Sequence, residues 1–310
     1  LTTVQRVLAT PTSIGGIRGR GVDSAISLFD QCHKAGDRFV AGSDIAGFFT
    51  KIPRAKVLDL LRLDTTEHDF IDLFDRALTV ELSNADALGP EERSLFPTGA
   101  DGVAQGCPLS ALAGNIVLED FDRQMNDPVR GISCIRYIDD FILIGRSRSN
   151  VEKALKSAKA QLSTLGMDIY DPATSPTKAF IGEIGQSHVF LGYEIIPGRY
   201  PPSPSARDKL IGRIDALIRA GQISIRRAVQ GRPLTSQDRC YAQTLAAVDN
   251  TVKGWRGSFR SSTCVPTFER VDREIERRLK DFEAFFRSHT AACNPAMRRR
   301  ALGISLLALG

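Results

Sequence analysis

The sequence has 310 residues and a formal net charge of +5; 42% of the residues are hydrophobic and 25% charged, enough apolar chain for one large core or two or three lobes. No run of about 18 apolar residues and no secretory h-region occurs in it, so nothing argues for membrane or export and a cytoplasmic location is expected. The six cysteines are scattered without a C-x-x-C pair and the four histidines form no H-E-x-x-H, which excludes a zinc ribbon, a redox motif and a zinc hydrolase.

Residues 1–36 mix turn signals with one amphipathic stretch, Val22 to Ala35. Asp37 to Ile45 reads as a short buried strand. Pro53 then opens a helix over Arg54 to Leu63, as proline does at a first helical turn. Residues 64–98 read as mostly helical with a break at Gly89-Pro90, and Pro108 to Met125 as a further helix behind the loop Gly102-Val103-Ala104-Gln105-Gly106. The run Cys134 to Gly145 is aromatic and β-branched on both sides of Asp139-Asp140 and predicts a hairpin with those carboxylates at its tip. Asn150 to Leu165 carries Val151, Leu155, Ala158 and Leu162 at helical spacing and ends at Gly166. Strands around Met167–Tyr170 and Val189–Ile195 complete a mostly antiparallel sheet, and the order β-α-α-β-β-α-β gives the α+β class. Four prolines between Pro197 and Pro204 mark a boundary. Beyond it, Leu210, Ile214 and Ile218, then Val271, Ile275, Phe282 and Phe286, form helical stripes opposite basic faces.

An Asp-Asp pair between strands is by itself an ordinary turn. Set in apolar flanks, two adjacent carboxylates are costly to bury unless cations neutralise them. Charge is also unevenly spread: residues 201–310 hold 20 Lys and Arg against 10 Asp and Glu, whereas the first 200 hold 21 against 26. That asymmetry points to an acidic, metal-holding part joined to a basic part that grips a polyanion, or more plainly to a solvated basic helical surface.

Three segments then combine in order: Asp44-Ile45-Ala46-Gly47-Phe48-Phe49, Gly102 to Ser110 with Asn115 behind it, and Tyr137-Ile138-Asp139-Asp140. Together they resemble palm motifs A, B and C of the reverse transcriptases. Lys178, and Phe190-Leu191-Gly192-Tyr193-Glu194-Ile195, resemble that family's lysine-bearing motif D and primer-grip motif E. Gly15 to Ala25 resembles the fingers segment of bacterial members. Gly254-Trp255-Arg256, Phe268 to Leu279 and Arg298 to Ile304 resemble the helical thumb of group II intron-type enzymes.

The resemblance implies a right-hand polymerase with partial fingers at 1–36, a catalytic palm at 37–198 and a helical thumb at 199–310. It implies an RNA-directed DNA polymerase that joins dNTPs to a primer 3′-hydroxyl with two Mg²⁺ ions, Mn²⁺ being the substitute. Asp44, Asp139 and Asp140, with the Ile45 carbonyl, are the implied metal ligands, and carboxylate oxygens suit Mg²⁺. Lys178 is the implied general acid towards pyrophosphate. Phe49 is the implied gate against a ribose 2′-hydroxyl, Gln105 and Gly106 the implied nucleotide contacts, and Tyr137 the residue beneath the primer terminus or incoming pair. Phe190, Leu191 and Tyr193 would brace the primer. Lys209, Arg213, Arg256, Arg260, Arg277 and Lys280 would meet phosphates, with Trp255 as a core anchor. The implied partners are an RNA template, primer and DNA product, dNTPs, and in some settings a dedicated non-coding RNA.

Two features depart from the pattern. Position 104 is alanine where many relatives have proline, and the fingers Lys and Arg that cradle triphosphate are not seen. Either Arg18 or Arg20 substitutes, or, as the opening Leu1 suggests, those residues precede the sequence given. An RNA-dependent RNA polymerase and a non-catalytic RNA-binding palm are the competing readings, Tyr137 and Phe49 speaking against the first and the intact aspartates against the second. With no H-N-H or zinc motif after the thumb, a defence or retron-like role fits at least as well as an intron maturase, and antiphage defence is the expectation.

Overall fold

The computed structural model describes residues 1–304. By internal contacts the chain divides into two compact units, one comprising Leu1–Leu191 and Ile195–Gly198, the other Gly192–Glu194 and the chain from Arg199 onward.

The first unit opens with α1 (Thr2–Ala9) and α2 (Val22–Lys34), followed by β1 (Phe39–Asp44), α3 (Phe48–Lys51), α4 (Arg54–Arg62) and α5 (His68–Leu78). Next come α6 (Pro90–Ser94), α7 (Pro108–Val117), α8 (Glu119–Met125), β2 (Ile132–Tyr137), β3 (Asp140–Gly145), α9 (Arg148–Ser163), β4 (Ala179–Glu183) and β5 (Val189–Phe190). Four strands form one sheet in the order β2-β3-β1-β4, every pairing antiparallel. Both faces are covered, so the inner strands β1 and β3 are buried almost throughout rather than at alternate residues. On one face Ala41, Cys134, Phe141 and Leu143 pack in a single core with Val151, Ala158 and Leu162 of α9 and Phe121 and Met125 of α8. α2 lies against β2 and β3.

The second unit contains β6 (Tyr193–Glu194) and four helices: α10 (Pro204–Val229), α11 (Tyr241–Ser258), α12 (Val265–Thr290) and α13 (Pro295–Leu302). Its core is the expected stripe, Leu210, Ile214 and Ile218 of α10 against Val271, Ile275, Phe282 and Phe286 of α12. Gly221 of α10 lets α11 approach, for a Cβ there would stand 2.3 Å from Thr244 Oγ1. Residues 305–310 of the expected thumb lie outside the described residues.

Several elements differ from expectation. Met167–Tyr170 is not a strand: it makes one bridge, Ile45 with Ile169, because Ser43 Oγ takes the Tyr170 N–H and the Asp168 carbonyl takes the Ala46 N–H. The fourth strand is instead β4, whose Gly182 sits against His188 and Gln186 and weakens its sequence signal. Val189–Ile195 is broken where Leu191 (φ 51°) and Gly192 (φ 83°) turn left-handed. Pro108 to Met125 divides at Leu118, and 64–98 holds only α5, the short α6 and a 3₁₀ turn at Ala85–Ala87. α1 was not expected.

Candidate active site

The sheet register builds the site. Asp44 is the last residue of β1 and Asp140 the first of β3, and the two are direct cross-strand partners. Directly opposed side chains in an antiparallel pair share a face, with Cβ atoms about 4.5–5.5 Å apart. Tyr137 faces Asp140 from β2, leaving Ile138 and Asp139 as a two-residue turn. Ile138 alone of that pair has positive φ, 60°, the arrangement of a type II′ hairpin whose first central position normally belongs to glycine. A β-branched residue held there costs about 1–3 kcal/mol of strain. The Asp139 carbonyl accepts the Ile45 N–H at 2.9 Å, tying the turn to the end of β1. Lys178, one residue before β4, stands on the other side of Asp44: its carbonyl accepts the Asp44 N–H at 3.3 Å and its Nζ lies 2.6 Å from Asp44 Oδ2.

The electrostatics are those of crowded anions. Burial, and then repulsion from Asp44 and Asp139, holds the Asp140 carboxyl well above the usual range, against the Leu191 N–H that donates to it. Burial also raises Asp139, with Asp44 adding to the effect. Lys178 is raised by its hydrogen bond to Asp44 and by that carboxylate's charge. Among the described residues no group of three or more His, Cys, Asp or Glu side chains is placed to hold a metal ion. The donors nevertheless suit a hard divalent cation, because they are carboxylate oxygens with a charge surplus that such a cation relieves. Asp44, Asp139 and Asp140 are the carboxylates that the register brings to one end of the sheet, with Lys178 as the present partner of Asp44.

Residues 3–195 match the family described as reverse transcriptase (RNA-dependent DNA polymerase). The chain belongs to the reverse transcriptase family. It has that family's palm fold, mixed helix and antiparallel sheet, and the family is one of nucleotidyltransferases that use divalent metal ions. Among solved structures it is similar to telomerase from Candida albicans in complex with a TWJ fragment of telomeric RNA, at 11% identity and a TM-score of 0.42, over 94% of this chain and 50% of that one. It is also similar to telomerase from Candida tropicalis with the corresponding fragment, at 12% identity and a TM-score of 0.37, over 98% and 56%. The chain thus spans about half the length of these telomerase chains. No match was found among the curated proteins. No helix among the described residues is long and apolar enough to cross a membrane.

The other expected site residues fall into two groups. Phe49 is half-buried, edge-on to Phe48 at 5.3 Å. The loop before α7 is fastened to it: Val103 N–H donates to the Phe49 carbonyl and Gly102 N–H to that of Ile52, both at 2.8 Å. Gln105 and Gly106 lie exposed just before α7, with Gly106 at φ 91°. Tyr137 is half-buried beside the aspartates. Arg20, by contrast, is spent on the backbone carbonyls of Leu8, Thr10 and Ser13 and is not available to a triphosphate; Arg18 is exposed. In the second unit Arg256 lies over the Phe268 ring and donates to the Phe259 carbonyl, while Arg277 and Lys280 pair with Glu274 and Glu276. Lys209 and Arg213 have no ion pair among the described residues and line a cavity of about 560 Å³ with Asn250 and Trp255. Trp255 packs against Phe259 and Phe268, and its indole N–H is buried without a partner.

Sequence reasoning gave no role to Arg136, which is 1% exposed and paired with Asp122 beneath the hairpin. The signal was there: an arginine inside a strand of apolar residues requires a buried acid.

Proposed function

We propose that this chain is an RNA-directed DNA polymerase that extends a primer 3′-hydroxyl with deoxynucleotides. The observation that carries the reading is the register of Asp44 against Asp140, with Asp139 in the adjoining turn between β2 and β3, in a chain that matches the family over 3–195. In the reaction the primer oxygen bonds to the α-phosphorus, its proton is lost, and the bond to the bridging oxygen breaks to release pyrophosphate. Asp44, Asp139, Asp140 and the Ile45 carbonyl would hold two Mg²⁺ ions. Bound there, the ions supply charge neutralisation at the attacking and leaving oxygens. Phe49 excludes a 2′-hydroxyl by filling its space. Gln105 and Gly106 offer backbone N–H groups at the opening of α7 to the nucleotide. Tyr137 supports the terminal pair, and Lys178, released from Asp44, delivers a proton to pyrophosphate.

In this reading 1–36 serve as partial fingers, 37–198 as palm and 199–310 as thumb, with RNA template and primer held by the basic second part. For the setting we favour a bacterial antiphage or retron-like role with a dedicated non-coding RNA, in keeping with the resemblance of Gly15 to Ala25 to the fingers segment of bacterial members. Primer extension on a primed RNA template tests the activity. The expected result is Mg²⁺-dependent dTTP incorporation that drops at least about 10³-fold in Asp139→Ala, the scale of losing a transition-state charge stabiliser. Full incorporation by that variant, or preference for UTP, would overturn the assignment. Sequencing the nucleic acid that copurifies tests the setting.

A further inference from the structure

The guanidinium of Arg136 donates five hydrogen bonds, the full capacity of an arginine side chain. Nε and Nη2 fork onto Asp122 at 2.7 and 2.5 Å, Nη2 also reaches Ser13 Oγ at 2.8 Å, and Nη1 reaches Asn115 Oδ1 at 3.0 Å and the Ile138 carbonyl at 2.8 Å. Pairing the charge would need only the fork to Asp122. The other three bonds go to the segment before α2, to α7 and to the left-handed residue of the hairpin. The same three parts are joined a second time. Arg136 N–H donates to the Thr12 carbonyl at 2.9 Å, Ile14 N–H donates to the Arg136 carbonyl at 2.8 Å, and Asn115 Nδ2 donates to the Gly15 carbonyl at 2.9 Å. Gly15 itself passes so close that a Cβ would lie 2.6 Å from the Ile138 nitrogen. Ile138 is thus enclosed on one side by the Gly15 backbone and fixed at its carbonyl by Arg136.

We propose that Arg136 is a positioning residue for the polymerase reaction: through the Ile138 carbonyl it holds the strained turn in the one conformation that presents Asp139 and Asp140 beside Asp44. This rests on the polymerase reading above. It also makes α7, whose N-terminal loop carries Gln105 and Gly106, part of the same hydrogen-bonded unit as the aspartate turn, through Asn115. Lysine cannot replace the planar fork while also reaching Asn115 and Ile138.

The test uses the full chain in primer extension, with melting temperature read on every variant. Arg136→Lys is expected to lower kcat about 10²-fold, the effect of a small misplacement of reacting groups, with the dTTP KM changed less than about threefold. Adding Ile138→Gly to Arg136→Lys is the decisive step, since glycine takes φ 60° without strain. It is expected to restore kcat about tenfold, roughly the rate equivalent of relieving one strained residue. A merely structural arginine predicts the opposite, because the double variant also loses a packed isoleucine. Arg136→Lys with wild-type kcat, or a folded double variant without recovery, overturns the proposal. If Arg136→Lys does not fold, Asn115→Ala, which leaves the Asp122 fork intact, is read alone and with Ile138→Gly against the same two outcomes. Asp139→Ala is assayed alongside: full activity there brings down the polymerase reading, whereas an inactive Asp139→Ala with a fully active Arg136→Lys brings down this inference alone.

Discussion

Asp140 faces Asp44 across the sheet, and burial together with its two acidic neighbours holds its carboxyl well above the usual range. A carboxyl raised on folding contributes stability that is full below its ordinary pKa and lost as pH rises through the raised value. Above the ordinary carboxylate range, therefore, the environment of Asp140 costs folding stability when no metal is bound. Asp140→Asn should raise the melting temperature in chelator by about 2–4 °C, the shift expected for about 1 kcal/mol in a domain of this size, while abolishing extension. Differential scanning calorimetry with and without Mg²⁺ reads this directly; a lower melting temperature in chelator would contradict it. Phe49 carries a second expectation at this scale. Its ring is half-buried against Phe48 and carries the loop before α7 on its carbonyl. Phe49→Ala should reduce discrimination of dTTP over UTP about 10–100-fold, the range of pocket contacts worth about 1–3 kcal/mol, as seen in competing single-nucleotide incorporation.

Between α10 and α11 the chain is fastened by one carboxylate. Asp238 accepts from the Thr235 N–H at 2.7 Å and from the hydroxyls of Ser224 and Thr235 at 2.9 and 3.0 Å, with Arg227 beside it. The Thr235 N–H first, and then the Ser224 hydroxyl, bring its pKa down to about 2. A carboxyl lowered on folding contributes stability above its ordinary pKa that disappears as pH falls through the lowered value. Melting temperature should therefore decline between pH 4 and pH 2, and Asp238→Asn should flatten that decline while lowering the plateau near pH 7. Circular dichroism melts across the range check both; an unchanged profile would remove Asp238 from the account. Helices with strong stripes, α9, α10 and α12, were legible from spacing alone. β4 was not, because its residues owe their strand to the register with β1 and to what packs on Gly182.

At the scale of the whole chain, charge is the property that matters. The surplus of 20 basic over 10 acidic residues beyond position 200 would bind a polyanion without regard to sequence. Not every cation is equally available, since Arg277 and Lys280 are paired locally while Lys209 and Arg213 have no ion pair among the described residues. Charge reversal at Lys209 and Arg213 together should weaken primed-RNA binding and reduce the slope of log K against log salt by about 2. Reversal at Arg277 and Lys280 should do less, since each already faces a carboxylate. Fluorescence anisotropy over a salt series would distinguish the pairs; equal effects would count against the ranking.

The aspartates, the glycine-bearing loop before α7, the apolar strands around Asp139-Asp140 and the helical stripes could all be read from residue order, because they depend on residue type and short-range periodicity. Those features were enough to reach the α+β class and the family. Position in space was another matter. That Lys178 pairs with Asp44, that Arg20 is consumed by backbone carbonyls, and that Met167–Tyr170 yields its strand to Ala179–Glu183 depend on partners far away in the chain. Arg136 shows the division most clearly. Its place in the strand was visible in the sequence, but its acid, its amide and its turn carbonyl come together only once the sheet, α7 and α8 have packed. Local pattern records what each residue can do, whereas hydrogen-bond partners at long separation are set by folding itself.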